Sequence, residues 1–514
     1  MPVSLPDAIR VHAQATPERI AITAGTRNCS YGQLWRDALS FADWLNRSGF
    51  RAGDRVAMVL ANCPEAVVAC YGTWMAGGIA VPLNAQSRPR ELMPWLRHCD
   101  PAVLVHESAN ADVQALLRMT AAPSRRVAVG DTVDRMSGPG WNEVIAEQGA
   151  PAPSAPPPQA DDSAALILFT SGTTGQPKGV TLSHRNLASN SASIIQYLEL
   201  TASDSVVSVL PFYYSYGNSV LNTHLAAGGR VVLEPNLVFP HVVVETIARE
   251  RVSGFSGVPS TFALLLARVD LQRHDLGSLR YLTQAGGPMA VATTQRLLAA
   301  VPHARLFVMY GQTEATARLA WLPPEMLGRK LGSAGKAIPG VQLEIRSESR
   351  QPLAAGELGE VWAHGENVML GYWRDAAQTA EVLSDGWLKT GDIGRMDADG
   401  YLFLEGRRTD MIKVGAHRIY PKDVEEAIAE LPGVAEVAVV GVEDELLGQV
   451  IKAFVVPSVT GTIDQQAIQA HCRDRLAPYK IPKQVEFVAA LPKTSSGKIR
   501  RRALVESAAG WEES

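Results

Sequence analysis

Residues 55–84 read RVAMVLANCPEAVVACYGTWMAGGIAVPLN. RVAMVLANC is a continuous apolar run, the pattern of a buried strand. PEAVVACYGTWMAGG follows as a helix that ends at its glycines. IAVPLN is the next strand. Strand, helix, strand in that order implies a parallel sheet covered by helices. AVLVH (102–106) and RVAVG (126–130) extend the rhythm, and AALILF (164–169) adds a further strand. The fold class is therefore α/β.

The same alternation returns in residues 205–262: SVVSVLPF, a Tyr-rich turn, a helix ending at Gly228–Gly229, then RVVLEP. Residues 341–405 change character. VQLEIRSE, GELGEVWAHG, GWLKTGDIGRMDADG and YLFLEG alternate with turn residues between them, which predicts a small antiparallel β unit. After Arg407 come a strand, the helix PKDVEEAIAEL, the strands EVAVVGV and IKAFVVP, the helix QQAIQAHCRDRL and a basic tail. That is a small α+β domain. The expected division is 1–406 and 407–514, with the boundary near Gly406–Thr409. The Pro/Ala-rich segment 150–162 (APAPSAPPPQADD) reads as the clearest loop, an ordered or semi-ordered connection into the strand that follows.

Bulk properties agree with a multidomain globular protein. The chain has 514 residues, too many for one core. Hydrophobic residues make up 46% and charged residues 19%, the balance of a soluble protein. A net charge of −4 leaves no basic footprint, which excludes nucleic-acid binding as an expectation. The five cysteines lack metal-ligand spacing, and their odd number argues against a disulfide framework, so a cytoplasmic compartment is expected. The N-terminal residues lack a basic start followed by an apolar core, so no signal peptide is expected there; Leu5, Ile9, Val11 and Ala15 suit a short surface helix. No apolar run is long enough to predict a membrane span.

The chemistry concentrates in LILFTSGTTGQPKGV (166–180). An apolar strand runs into small hydroxyl residues and glycines, then Lys178. Glycines let backbone N–H groups approach phosphates, hydroxyls add donors, and the lysine adds positive charge. The spacing is not that of a Walker loop.

TSGTTGQPKG (170–179) resembles the signature of the adenylate-forming superfamily: acyl-CoA synthetases, luciferases and peptide-synthetase adenylation domains. MYGQTEAT (309–316), GELGEVWAHGENVMLGYW (356–373), GWLKTGDIG (386–394), GRRTDMIKVGAHRIYPKDVE (406–425) and LPKTSSGKIRRRAL (491–504) match its later motifs in order. The resemblance implies a large N-terminal domain for ATP and acid and a small, mobile C-terminal domain that alternates between two half-reactions. It implies an ATP-dependent, AMP-forming ligase that makes an acyl-adenylate and hands the acyl group to an acceptor.

Residue by residue, the resemblance makes Lys498 the catalytic lysine and Glu314 a Mg²⁺ ligand. Thr313 would bond the α-phosphate. Thr170, Ser171, Gly172, Thr173, Thr174 and Lys178 would hold the triphosphate. Tyr310 would stack on adenine beside Gly286, Gly287, Pro288 and Gly311, and Asp392 with Arg407 would take the ribose. The acid pocket would be lined by Tyr213, Tyr214, Asn218 and Ala285, with Val258–Pro259 nearby. No acidic residue in PFYYSYGNS offers to hold an α-amine, so a non-amino, hydrophobic acid is expected.

The acceptor is coenzyme A by default. Two departures keep alternatives open. Tyr214 stands where acyl-CoA synthetases often carry histidine, and Ala416 stands where a glycine usually lets the pantetheine arm pass. A carrier-protein phosphopantetheine or an amine, as in the stand-alone coronafacic acid ligase group, would then accept the acyl group. Thr409 occupies the hinge position, followed by Asp410. His184, His224, His241 and His417 read as structural or surface residues, and Arg500–Arg502 as a solvated face.

Overall fold

The computed structural model describes residues 4–118, 123, 125–130, 138–146, 161–170, 178–234, 237, 239–414, 417–444, 448–458, 463–494 and 498–509. The opening stretch folds as read. Strand Arg55–Val59 is followed by helix Pro64–Met75 and strand Ile79–Leu83, and the two strands pair in parallel, Arg55 opposite Ile79. The helix is buried along its length, which explains its unbroken apolar composition. Trp74 is fully buried, and its indole N–H donates to the Ala165 carbonyl at 2.7 Å, fastening helix to sheet.

This unit sits in a seven-stranded sheet. Val103–Glu107 and Arg125–Val129 extend it in parallel on one side, Ala164–Thr170 on the other. Lys178–Ser183 and Gly371–Tyr372 then add antiparallel edges. A second, nine-stranded sheet carries six neighbouring parallel strands, of which four are Arg305–Tyr310, Tyr281–Gln284, Gly254–Gly257 and Ser205–Ser208. Arg230–Leu233 pairs on the far side of Ser205–Ser208, so the strand order reverses there. In open parallel sheets, ligands bind outside the carboxyl ends of the strands at such a reversal.

Residues 341–407 form the expected antiparallel sheet, from Val341–Arg346 to Leu402–Arg407, with helix Ala376–Val382 inserted. A single 3₁₀ turn, Arg408–Asp410, leads onward. The C-terminal domain is α+β. Its long hairpin, Val434–Asp444 with Gly448–Pro457, is flanked by Ile412–Val414 and, in parallel, by Gln484–Phe487. It has its own core around Ile419, Val424, Ile428, Val439, Ala453 and Ile468.

Four readings are corrected. In helix Leu5–Ala15 the inward face is Leu5, Ile9 and Ala13, four residues apart, while Val11 is 48% exposed. SVVSVLPF is a strand only to Ser208; beyond it the chain turns through Pro211, which cannot donate to a ladder. The 341–405 region is not purely β. Arg501 is not a solvated residue: it pairs in bidentate fashion with Glu425 at 2.6 and 3.0 Å and donates to the Val439 carbonyl. Segment 150–160, the phosphate-loop residues Ser171–Pro177, and Gly415 with Ala416 lie outside the described residues.

Candidate active site

Those four parallel strands deliver four loops to one edge. Ser205–Ser208 leads to Pro211–Tyr214, Gly254–Gly257 to Val258–Pro259, Tyr281–Gln284 to Ala285–Pro288, and Arg305–Tyr310 to Gly311–Glu314. Tyr213 and Tyr214 end the first loop, and Tyr214 caps helix Ser215–Ala226. Gly286 has φ +91°, and a β-carbon there would lie 2.6 Å from the Tyr214 hydroxyl. Glycine is therefore needed for both its backbone and the phenol beside it. Gln284, buried, donates to the Gly287 carbonyl at 2.7 Å and holds this turn. Burial pushes the Tyr214 phenol up to about 12, with the charge of Arg318 opposing.

Gly311 sits where a β-carbon would meet the Ala317 carbonyl at 2.1 Å, so its loop folds tightly on itself. Thr313 donates to the Ser215 hydroxyl at 3.2 Å. Glu314 accepts from the Tyr372 hydroxyl at 3.0 Å through Oε1, and no partner contacts Oε2 among the described residues. The Lys178 ammonium lies 5.0 Å from the Tyr372 ring centre. Thr170 and Lys178 face one another across the hairpin whose connecting loop is Ser171–Pro177. A hard oxygen free to ligate, with its neighbour anchored, fits Mg²⁺, which fills its remaining positions with phosphate and water oxygens.

The second carboxylate is Asp392, 7% exposed. Its Oδ2 accepts from the Tyr310 hydroxyl at 2.6 Å, and its Oδ1 pairs with Arg407 Nε at 3.0 Å. A carboxylate has about four acceptor positions, so both oxygens retain capacity. Asp392 first raises the pKa of Arg407, holding the guanidinium firmly charged. Burial and Asp392 together push the Tyr310 phenol upward.

Lys498 reaches this cleft from the C-terminal domain. Its ammonium lies 5.7 Å from the Tyr214 ring centre. Its own backbone is held by Thr494, whose hydroxyl accepts from the Lys498 N–H at 3.1 Å. Desolvation in the cleft lowers its pKa, Arg407 adds to that, and Glu314 and Asp392 oppose. Lys178, Arg407 and Lys498 thus face two carboxylates and a Tyr-lined loop.

A model of AMP-binding enzymes matches residues 9–373, and one of the AMP-binding enzyme C-terminal domain matches 423–498. The chain belongs to the AMP-binding enzyme family. It is an ATP-dependent, AMP-forming ligase. It is 35% identical to the indoleacetate–CoA ligase of Aromatoleum aromaticum, over 97% of each chain. The amide bond synthetase McbA of Marinactinospora thermotolerans superposes with a TM-score of 0.88 at 30% identity, over 98% of this chain and 99% of that one. The anthranilate CoA ligase AuaEII, in complex with anthranoyl-AMP, superposes at 0.91 with 26% identity, over 99% and 98%. No helix among the described residues is long and apolar enough to cross a membrane.

Not every residue expected in this AMP-binding enzyme's site points into it. The Asn218 amide is occupied within its own helix region: it accepts from Asn222 at 2.8 Å and donates to the Phe212 carbonyl at 3.4 Å. His184 and His224 are buried, and His417 stacks on Tyr479 at 3.8 Å. Conversely, Ser215, Gln284, Tyr372, Asn367 and Arg318 join the site or its walls. Ser215, Asn367 and Tyr372 lay inside quoted stretches, but nothing local marked the Tyr372 hydroxyl as a partner of Glu314 or Asn367 as a partner of the Ala315–Arg318 turn.

Thr316 shows what the loop costs. It has φ +65° and ψ −58°, the γ-turn of the rarer hand, closed by the Ala317 N–H to the Ala315 carbonyl at 2.7 Å. A β-branched residue there stores on the order of 1–3 kcal/mol. Asn367 restrains it: its carbonyl accepts from Thr316 Oγ1 at 2.7 Å, and its amide donates to the Ala315 and Arg318 carbonyls.

Proposed function

We propose that the enzyme activates a non-amino carboxylic acid with an apolar body and transfers the acyl group to coenzyme A. The acid carboxylate attacks the α-phosphorus of ATP, the bond to the β-phosphate oxygen breaks, and pyrophosphate leaves. The thiol sulfur of coenzyme A, losing its proton, then attacks the acyl carbon, and AMP leaves with the bonding pair. The observation that carries this reading is the meeting of Lys498 with the Tyr214 loop and with Glu314, Asp392 and Arg407. Two anions must approach in the first step, and preorganised positive charge is what lowers that barrier.

In this reading Lys498 lies between the acid carboxylate and the α-phosphate, and Thr313 bonds the α-phosphate. Thr170, Ser171, Gly172, Thr173, Thr174 and Lys178 receive the β- and γ-phosphates. Glu314 would hold Mg²⁺, which neutralises phosphate charge. Tyr310, tethered through its hydroxyl, presents its ring to adenine opposite Gly286, Gly287 and Pro288. Asp392 and Arg407 take the ribose. Tyr213, Tyr214 and Ala285 line the acid pocket, and Asn218 shapes it through its helix. Residues 1–406 and 407–514 are the two domains, and the turn at Arg408–Asp410 is where they rotate. A cytoplasmic location fits the free cysteines and the ATP requirement.

A second reading is amide formation, with an amine as acceptor. The similarity to an amide bond synthetase along nearly the whole chain favours it, as does Ala416. Carrier-protein loading is chemically equivalent to the first reading, with a tethered thiol. One experiment separates these. ATP, Mg²⁺ and a panel of acids are supplied with coenzyme A, with amino acids, or with neither, and AMP and acyl product are measured. A thioester made in a coenzyme A-stimulated reaction supports the first reading. An amide made without coenzyme A removes it.

A further inference from the structure

Arg318 is 2% exposed and stands four residues beyond Glu314. No carboxylate lies within ion-pairing distance of it among the described residues. Its contacts are neutral. Nε donates to Met309 Sδ at 3.3 Å, Nη1 donates to the Ala317 carbonyl at 3.3 Å, and the guanidinium carbon lies 4.1 Å from the Tyr216 ring centre. Its own carbonyl accepts from Asn190 at 3.1 Å and from Asn367 at 2.8 Å, so the backbone is pinned.

A buried guanidinium with no counter-charge is costly, because an arginine does not neutralise itself by losing its proton. Its position gives that cost a use. Tyr216 meets Tyr214 edge-on, with ring centres 6.4 Å apart, and Lys498 lies over Tyr214. The Tyr214–Tyr216 pair therefore has one cation at each member: Lys498 beside the reacting end, Arg318 beside the other. Tyr216 is fixed in turn by hydrogen bonds of 2.8 Å to Thr283, which donates to Ser256. Arg318 is thus held rigidly, which suits a group that discriminates between substrates.

We infer that Arg318 is a specificity-determining residue that receives a second carboxylate, at the end of the acid remote from the group being adenylated. The preferred substrate class is then a dicarboxylic acid with an apolar middle. The inference rests on the ligase reading for its turnover test, but not for its binding test.

The test uses the full-length enzyme and two matched pairs: adipate against hexanoate, and 3-(4-carboxyphenyl)propanoate against 3-phenylpropanoate. Pyrophosphate release gives kcat and KM, and calorimetry without nucleotide gives Kd. The wild type is expected to favour the diacid of at least one pair by roughly tenfold or more in kcat/KM and in Kd, since a site built for a polar group rejects the analogue lacking it. Arg318→Met should remove that preference, chiefly by raising KM for the diacid. Arg318→Lys should restore part of it, which also shows that the position tolerates change. Preference for the monoacid in both pairs, or an unchanged ratio in Arg318→Met, would overturn the inference while leaving the ligase reading intact. Diacid binding that depends on Arg318 without any AMP release would support the inference and count against the ligase reading. No binding of either diacid would overturn it.

Discussion

At the residue scale, Lys498 is the position where charge and chemistry meet. Its ammonium must be protonated to stand between two anions. Desolvation and Arg407 lower its pKa, so the proton is lost at lower pH than from an ordinary lysine. Adenylation should therefore decline on the alkaline side, starting below pH 10.5, the ordinary lysine value. Initial rates of pyrophosphate release against pH read this limb directly; a plateau through pH 10.5 would contradict it. Lys498→Ala should lower the adenylation rate by a factor on the order of 10²–10³, the usual cost of losing a preorganised electrostatic group. ATP binding should stay near the wild-type level, and single-turnover kinetics separate the two. Tyr372→Phe is a gentler probe. It removes only the hydroxyl that anchors Glu314 Oε1, worth about 1 kcal/mol. The expected result is a raised Mg²⁺ requirement with little change in the KM for acid.

At the element scale, the loop from Gly311 to Arg318 is held in a strained turn by a residue from elsewhere. Asn367→Ala would remove one of two donors from each of the Ala315 and Arg318 carbonyls, leaving the Ala317 N–H on the first and Asn190 on the second. A loss of about 2 kcal/mol in stability is expected from two lost buried hydrogen bonds, together with slower adenylation. Denaturant titration beside pyrophosphate assays checks both. The helices add a pH sensitivity of their own. Burial lowers both His184 and His224 from 6.5 to about 4. Between those values the unfolded chain binds protons that the folded chain refuses, so stability falls as pH drops from about 6.5 toward 4. At pH 5 each contributes a loss of about 2 kcal/mol. Urea midpoints at pH 7 and pH 5 should differ accordingly, and His224→Asn should shrink the difference. The motif strings that marked this loop were legible one after another. The strain at Thr316 was not, because φ there is set by Asn367, a residue 51 positions away.

At the scale of the whole molecule, the proposed reaction asks the C-terminal domain to be firm enough to carry Lys498 and free enough to move. Its firmness depends on Arg501, which binds Glu425 with both terminal nitrogens and lies 3.5 Å from Asp410 beside the connecting turn. Glu425→Gln leaves that guanidinium partly desolvated with one carboxylate fewer. A loss of about 2 kcal/mol is expected, discounted from a fully buried pair because the arginine keeps some solvent. Thermal unfolding should show it mainly in the C-terminal domain. Arg407 and Arg408 make the junction a tryptic site. Cleavage there should slow when ATP and an accepted acid are bound, and equal cleavage in both states would argue against closure over the cleft.

The opening strand–helix–strand stretch, Arg55–Asn84, was enough by itself to determine the α/β class, because a continuous apolar run and a helix stop at glycines are local properties. Ordered motifs likewise determined the family and named Lys178, Glu314, Asp392 and Lys498. What only the tertiary structure decided is how these residues meet. Tyr310 finds Asp392 82 positions along the chain, and Tyr372 finds Glu314 58 positions back. Asn218, which the sequence places beside the acid, spends its amide on its own helix. Arg318, which no local pattern distinguishes from a surface arginine, is buried without a counter-charge among the described residues. The reason is common to all but Asn218, whose partners are local. Periodicity and motif are written over a few neighbouring residues, whereas burial and pairing of a charge depend on strands that come together only when the sheets close.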